Sequence, residues 1–307
     1  MAQQMLEVKN LTRYYNGMAA VDNISFQVQR GEIMGFLGPN GAGKTTSIRM
    51  ILGILSPSAG EVAFYFQGTA GPLETDRIGY LPEDRGLYDD ARVLPTLVYL
   101  AGLKGVSRET AAKRALEWLE RMNLTDYANQ KLEKLSKGMQ QKVQFIATIL
   151  HHPEMVVLDE PFSGLDPINQ DFFKNLILEL RKQGVTVLLS AHQMNMVQEL
   201  CDRIFLINSG KPVIYGTLTE IRDQHVENAV TLTWDNDRGV EPFISGLEQV
   251  RELNINSDRA QFKIHTDYPS DQLLDNLSRL CRIRSISIEK PSLHEIFIDT
   301  IQGRVGK

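Results

Sequence analysis

The run G-P-N-G-A-G-K-T-T at 38–46 fits the pattern G-x-x-x-x-G-K-[ST]. Each residue type in it has a physical use. Gly38, Gly41 and Gly43 free the backbone, so that the N–H groups of Asn40, Gly41, Ala42, Gly43 and Thr46 can wrap around phosphate oxygens. Lys44 adds a point charge for the β- and γ-phosphates, and the Thr45 hydroxyl is a Mg²⁺ ligand. A second candidate is M-V-V-L-D-E at 155–160, an apolar run that ends in Asp159 and Glu160. Two adjacent acids at the end of a buried strand are costly unless something uses them. Beside a phosphate loop, Asp159 suits the Mg²⁺ shell, and Glu160 suits orienting or deprotonating a water. A third is S-A-H at 190–192, which places His192 just past the apolar run V-T-V-L-L.

A fourth stretch raises a question. L-S-K-G-M-Q-Q-K at 135–142 is a second glycine-containing turn that opens a helix. Ser136 is a helix cap, and Met139, Val143, Ile146 and Leu150 follow at helical spacing. Such turns bind anions through unpaired N–H groups and the helix dipole. The loop at 38–46 already serves one nucleotide, so the turn at Ser136 and Gly138 either simply caps its helix or takes another ligand.

These groups need elements to carry them. Short extended runs at Leu6 to Val8, Ile24 to Val28 and Ile33 to Leu37, separated by Asn16-Gly17 and Arg30-Gly31, read as strands. The third runs straight into the phosphate loop, and a helix follows through Ile48, Met50, Ile51 and Leu52. Residues 60–81 read as further short strands, and about 92–150 as helical. There Ala112, Ala115, Leu116, Leu119 and Met122 form a stripe behind a Ser107 cap. Apolar strands at 155–160, 185–190 and 203–208 alternate with helices, the pattern of a largely parallel, buried sheet. Character changes near His225. Strands at 229–235, 260–266 and 283–289 and a helix at 270–280 predict a small α+β domain of β-α-β-β-α-β-like order, closed by a helix through S-L-H-E-I-F-I-D-T-I. The expected division is 1–224 and 225–307.

Composition excludes several classes. Of 307 residues, 42% are hydrophobic and 23% charged, which is ordinary for a globular protein. The net charge of −5 argues against a nucleic-acid partner. Cys201 and Cys281 are far apart and form no metal or redox spacing. The N-terminus has no signal-peptide pattern, and no run of about 18 apolar residues spans a membrane.

In this order, the four motifs and S-G-L-D at 163–166 resemble the ATP-binding subunit of ATP-binding cassette (ABC) transporters, over about residues 4–220. L-S-K-G-M-Q stands where that family has its signature, typically L-S-G-G-Q. Lys137 and Met139 depart from it, with Gln140 one place later than the family's glutamine, while Ser136 and Gly138, which would carry the phosphate contacts, are kept. The resemblance implies a P-loop α/β fold with an N-terminal antiparallel β-subdomain and a helical subdomain at about 92–150. It implies ATP and Mg²⁺ as cofactors, with an adenine ring stacked on Tyr15. It also answers the question of the second turn: in the family the signature closes on the γ-phosphate held by a second subunit. Two ATP molecules are then sandwiched between this chain and either itself or a homologous ATPase chain, with Asp166 helping to join the sites. His192 takes the place of the family's γ-phosphate switch. Glu83, after I-G-Y-L-P, stands where the family often has a glutamine near Mg²⁺. A carboxylate there can ligate the metal, with Arg85 or the metal offsetting its charge. L-P-E-D-R-G-L-Y and P-S-L-H-E-I-F-I are similar to ABC-2-type exporters. These work with a separate polytopic membrane permease, so the resemblance places the chain on the cytoplasmic face of the cell membrane. The competing classes are a non-transport ABC ATPase of translation or DNA maintenance, which usually carries two cassettes or a long coiled coil, and another P-loop enzyme. Neither kind of added segment occurs here, and no N-K-x-D guanine motif is present.

Overall fold

A computed structural model describes residues 3–84, 86–87, 90–224 and 227–301. The chain divides into two compact units, 1–217 and 218–307. His225, where the sequence changes character, lies outside the described residues, as does Arg85.

The first unit begins with β1 (Gln4–Tyr15), β2 (Met18–Gln29), β3 (Ile33–Leu37), α1 (Lys44–Ile51), β4 (Ala59–Phe64) and β5 (Ile78–Leu81). The helices α2 (Val93–Leu103), α3 (Arg108–Arg121) and α4 (Lys137–Ile149) follow. It ends with β6 (Met155–Leu158), α5 (Pro167–Lys182), β7 (Thr186–Ala191), α6 (Met194–Leu200), β8 (Arg203–Asn208) and β9 (Lys211–Thr217). β1 and β2 form a hairpin closed at Asn16-Gly17, where φ is 49° and 81°. Two successive positive φ angles are what a tight turn matching the strand twist requires, and Asn-Gly supplies them. With β4 the hairpin makes an antiparallel sheet of order β2-β1-β4.

The second sheet has the order β5-β6-β7-β3-β8-β9. All its pairs are parallel except β8 with β9. Its inner strands are buried at every position of β3, β6 and β7, which is why they read as continuous apolar runs. Phe26, Phe36 and Phe205 meet with ring centroids 4.9–5.5 Å apart and lock the hairpin onto this sheet. β9 escapes sequence reading because it is a half-exposed edge strand that starts K-P, and Pro212 fits only an edge.

Ser107 caps α3 by accepting from the Thr110 N–H at 3.3 Å. Its buried stripe is Ala111, Ala115 and Leu119, while Leu116 is 44% exposed. The packed face takes in Ala111 in place of Leu116, while Ala115, Leu119 and Met122 of the expected stripe are buried.

The second unit comprises α7 (Leu218–Asp223), β10 (Glu227–Asp235), α8 (Val240–Ser245), β11 (Val250–Asn256), β12 (Arg259–His265), α9 (Ser270–Leu280), β13 (Arg282–Glu289) and α10 (Leu293–Ile301). Its sheet is antiparallel throughout, in the order β11-β12-β10-β13. Alternate residues Val230, Leu232 and Trp234 of β10 join Phe262 and Ile264 of β12 in a core with Val240, Leu273 and Leu277. The β-α-β-β-α-β order appears once α8 and β11 are included. Both are weak in sequence: α8 has six residues with Pro242 inside, and β11 is polar and bulged between Arg251 and Asn254.

Candidate active site

β6, β7 and β3 are neighbours, so their carboxyl ends open on one crevice, where ligands bind in such sheets. The register Leu158↔Leu189 and Leu37↔Ala191 sets Asp159, Ser190 and the phosphate loop side by side. Asn40, Gly41, Gly43, Lys44, Thr45, Thr46, Glu83 and Glu160 line a cleft of about 240 Å³. Ala42 is buried beneath it. The loop needs its last glycine: Gly43 has φ 105°, and a Cβ there would stand 2.6 Å from the Ala20 carbonyl oxygen. A larger hollow of about 550 Å³, between Trp118 and Pro153, contains none of these groups.

Ser190 organises the acids. Its hydroxyl donates to Asp159 Oδ1 at 2.6 Å and accepts the Glu160 N–H at 2.8 Å. Sequence reading placed Ser190 in the motif but gave it no role, because that role exists only through the pairing of β6 with β7. Burial pushes the Asp159 carboxyl above its usual range, while the Ser190 hydrogen bond and nearby Thr45 oppose the shift. Asp159 Oδ2 is buried with no hydrogen-bond partner. An unpartnered carboxylate oxygen beside a threonine hydroxyl fits a hard divalent cation. Among the described residues no three His, Cys, Asp or Glu side chains gather as a metal cage. Mg²⁺ commonly takes one or two carboxylates together with substrate phosphates, so the donor set is compatible with it.

Glu160 sits at φ 51°, a left-handed conformation that is unusual for glutamate. Its Oε2 lies 2.8 Å from His192 Nδ1, and its Oε1 lies 3.1 Å from Lys44 Nζ. The lysine contact is an ion pair rather than a directed hydrogen bond, since Glu160 Oε1 receives no hydrogen bond, while Nζ donates to the Gly38 carbonyl at 2.9 Å and the Pro39 carbonyl at 3.3 Å.

The remaining candidates lie elsewhere. Tyr15 is 44% exposed, with the Arg13 guanidinium 4.8 Å from its ring centroid. Ser136 caps α4 by accepting from the Met139 N–H at 3.3 Å, and it is exposed. Gln140 turns back to its own chain and donates to the Leu132 carbonyl at 2.9 Å. Neither Ser136 nor Gly138 lines the cleft. One link went unseen in sequence: Gln141, on the same helix, donates to the Pro161 carbonyl at 2.6 Å, tying the signature helix to the segment after Glu160. Asp166 caps α5, accepting from the Asn169 N–H at 3.0 Å.

A glycine-rich loop between β3 and α1, with its lysine facing two acids at the next strand ends, defines a P-loop nucleoside triphosphatase. The comparisons narrow the class. A family model described as ABC transporter matches residues 21–163. A second, described as ATP-binding protein DrrA1-3-like, C-terminal domain, matches residues 216–301. The uncharacterized ABC transporter ATP-binding protein YhaQ of Bacillus subtilis is 41% identical over 297 residues, covering 97% of this chain and 98% of that one. The linearmycin resistance ATP-binding protein LnrL of the same organism is 29% identical, covering 98% of this chain and 99% of that one. A solved dimeric structure of the ATP-binding cassette MJ0796 in a post-hydrolysis state, bound to ADP and Pi, aligns with a TM-score of 0.62 and 27% identity, covering 70% of this chain and 99% of that one. The chain belongs to the ABC transporter ATP-binding proteins, and it binds and hydrolyses ATP as a transporter subunit.

Proposed function

We propose that the chain is the ATPase half of an exporter, closing as a dimer with itself or a homologous ATPase chain over two Mg-ATP. In this reading the backbone of 40–46 and Lys44 hold the phosphates, and Tyr15 stacks on the adenine. Thr45, Asp159 and Glu83 would hold Mg²⁺, which when bound offsets charge on the phosphate oxygens. Glu160 orients or deprotonates the attacking water, and His192 contacts the γ-phosphate and senses its loss. Ser136, Gly138 and Gln140 close on the partner's nucleotide, and Asp166 helps join the two sites. Catalysis is then mainly positioning and charge stabilisation.

The observation that carries the dimer is Gly138. It has no positive φ, and a Cβ there would make only ordinary contacts, 3.8 Å from Asn169 and 3.9 Å from Leu165. Its own fold does not demand glycine, and Ser136 beside it is exposed. A glycine kept at an exposed helix start suits close approach by a ligand held elsewhere. Export is supported by the C-terminal domain match and by the resistance protein among the relatives. In this reading residues from about 225 onward are an accessory domain of the exporter subfamily. Among the described residues no helix is long and apolar enough to cross a membrane, so the path for cargo falls to a separate polytopic permease, with this chain peripheral on its cytoplasmic face. The net charge of −5 suits no nucleic-acid partner.

The test is light scattering on Glu160→Gln, with and without Mg-ATP. An ATP-dependent dimer is expected, and adding Ser136→Arg should abolish it while leaving nucleotide binding intact. A dimer that survives Ser136→Arg would sink the role of the signature turn in trans.

A further inference from the structure

The second unit carries a hollow that the ATPase reading does not use. It has a volume of about 340 Å³ and is lined by Asn236, Arg238, Arg279 and Arg282 among others. One wall is the turn between β10 and α8, and the other is the end of α9 running into β13. The Arg238 N–H donates to the Leu280 carbonyl at 3.0 Å, which ties the two walls together.

Its charge is one-sided. Three arginines line the hollow and no acidic residue does. Two acids stand nearby, and the charge of Asp237 reaches the lining Cys281, but each has partners of its own. Asp237 Oδ1 accepts the N–H groups of Gly239 and Val240, both at 2.8 Å, and these bonds hold its carboxyl below the usual range. Asp235 is bonded by Arg284, which also reaches Asp258 at 3.4 Å, and Arg282 acts on Asp235 only through longer-range charge. Among the described residues, none of the three guanidinium groups has a hydrogen-bonded carboxylate. Arg30, Arg181 and Arg203, by contrast, each engage one. Three like charges in a concavity repel one another and concentrate positive potential there. That is an arrangement an anion would relieve. The planar fork of each guanidinium matches phosphate oxygens two at a time. The Asn236 amide adds a neutral donor, whereas the Ser278 hydroxyl is already used on the Asp275 carbonyl at 2.8 Å.

We propose that this hollow binds a multiply charged phosphate group, at a site sharing no residue with the nucleotide cleft. The group could be carried by a soluble phosphorylated molecule or by an anionic lipid headgroup, and the experiment separates the two.

Full-length protein with Lys44→Met, which weakens phosphate binding at the P-loop, is titrated with inorganic pyrophosphate by calorimetry. It is also sedimented with vesicles containing phosphatidic acid, whose phosphomonoester headgroup is multiply charged, or with vesicles of phosphatidylcholine alone. The comparison is the same protein with Arg238→Gln and Arg279→Gln. Both arginines are exposed, so an unchanged melting temperature verifies the fold. If the ligand is soluble, one equivalent of pyrophosphate binds, and the double variant weakens it at least ~10-fold, about 1.4 kcal/mol. Arg238→Lys with Arg279→Lys, which keeps the charge but loses the fork, falls between. If the ligand is a headgroup, pyrophosphate binds poorly. Phosphatidic acid vesicles, but not phosphatidylcholine ones, then retain the protein, and the double variant is released. Binding to neither probe, or binding that the double variant leaves unchanged, overturns the proposal.

Discussion

His192 Nδ1 lies 2.8 Å from Glu160 Oε2, while Lys44 Nζ lies 3.1 Å from the other oxygen of the same carboxylate. A carboxylate only accepts hydrogen bonds, so Nδ1 carries the proton in this contact. Glu160 is thus held between a group from the phosphate loop and a group from the end of β7. A γ-phosphate would compete with Glu160 for both partners, and it carries more charge. In the proposed reading, nucleotide entry would therefore free the Glu160 carboxylate from both partners.

Glu160→Gln keeps the shape of the side chain but removes the charge and the basicity. Hydrolysis should slow by roughly 10²- to 10⁴-fold, the usual worth of a positioned base, with nucleotide binding retained. His192→Ala should slow single-turnover hydrolysis by about 10²- to 10³-fold, as loss of a donor at the transferring group does. Single-turnover hydrolysis unchanged in Glu160→Gln would remove Glu160 from the chemistry.

Ser190→Ala tests the link between the two acids. Ser190 is fully buried, and its loss strands both Asp159 Oδ1 and the Glu160 N–H. Leaving two buried groups unpaired should cost about 2–4 kcal/mol. Urea denaturation reads that cost. Turnover should fall as well, because the φ 51° backbone at Glu160 loses its anchor. Wild-type stability in Ser190→Ala would mean that water replaces the hydroxyl.

What was legible in the sequence was whatever is local. Residues 38–46 carry their own geometry, and the runs at β3, β6 and β7 are apolar at every position because both faces of the sheet are covered. What depends on pairing was not legible. Ser190 gains its role from the β6–β7 register, and Gln141 from a contact with Pro161 across the chain. The weak edges β9 and β11 were invisible for the opposite reason: little of them is buried, so no strong pattern marks them.

Gly43→Ala and Gly41→Ala make a matched pair in the phosphate loop. Gly43 has φ 105° and a backbone oxygen 2.6 Å from any Cβ, whereas Gly41 has φ 79° and nothing within 4 Å. Alanine at 41 should cost only the left-handed strain, about 1–2 kcal/mol. Alanine at 43 adds a clash that the loop must move to relieve, so nucleotide binding should be lost there and only weakened at 41. Titration with a fluorescent ATP analogue checks the order, and equal losses would contradict it.

His151 sets a pH limit on stability. Its Nε2 lies 3.2 Å from the Ile78 carbonyl oxygen, while its Nδ1 is buried with no partner. Burial lowers its pKa to about 4, with the Lys104 and His152 charges adding to the shift and the Ile78 contact opposing it. In the unfolded chain the imidazole titrates near its ordinary value of about 6.5. Between those two values the unfolded chain binds a proton that the folded chain refuses, so folding stability rises with pH. Stability should therefore be full above about pH 6.5, fall as the pH drops towards 4, and lose nothing more from this group below that. His151→Gln can still donate to the Ile78 carbonyl, and it has nothing to protonate. The drop in melting temperature between pH 7 and pH 5 should shrink by a few degrees, at roughly 2–4 °C per kcal/mol for a chain of this size. If wild type and His151→Gln lose the same number of degrees over that range, the acid sensitivity belongs to other groups.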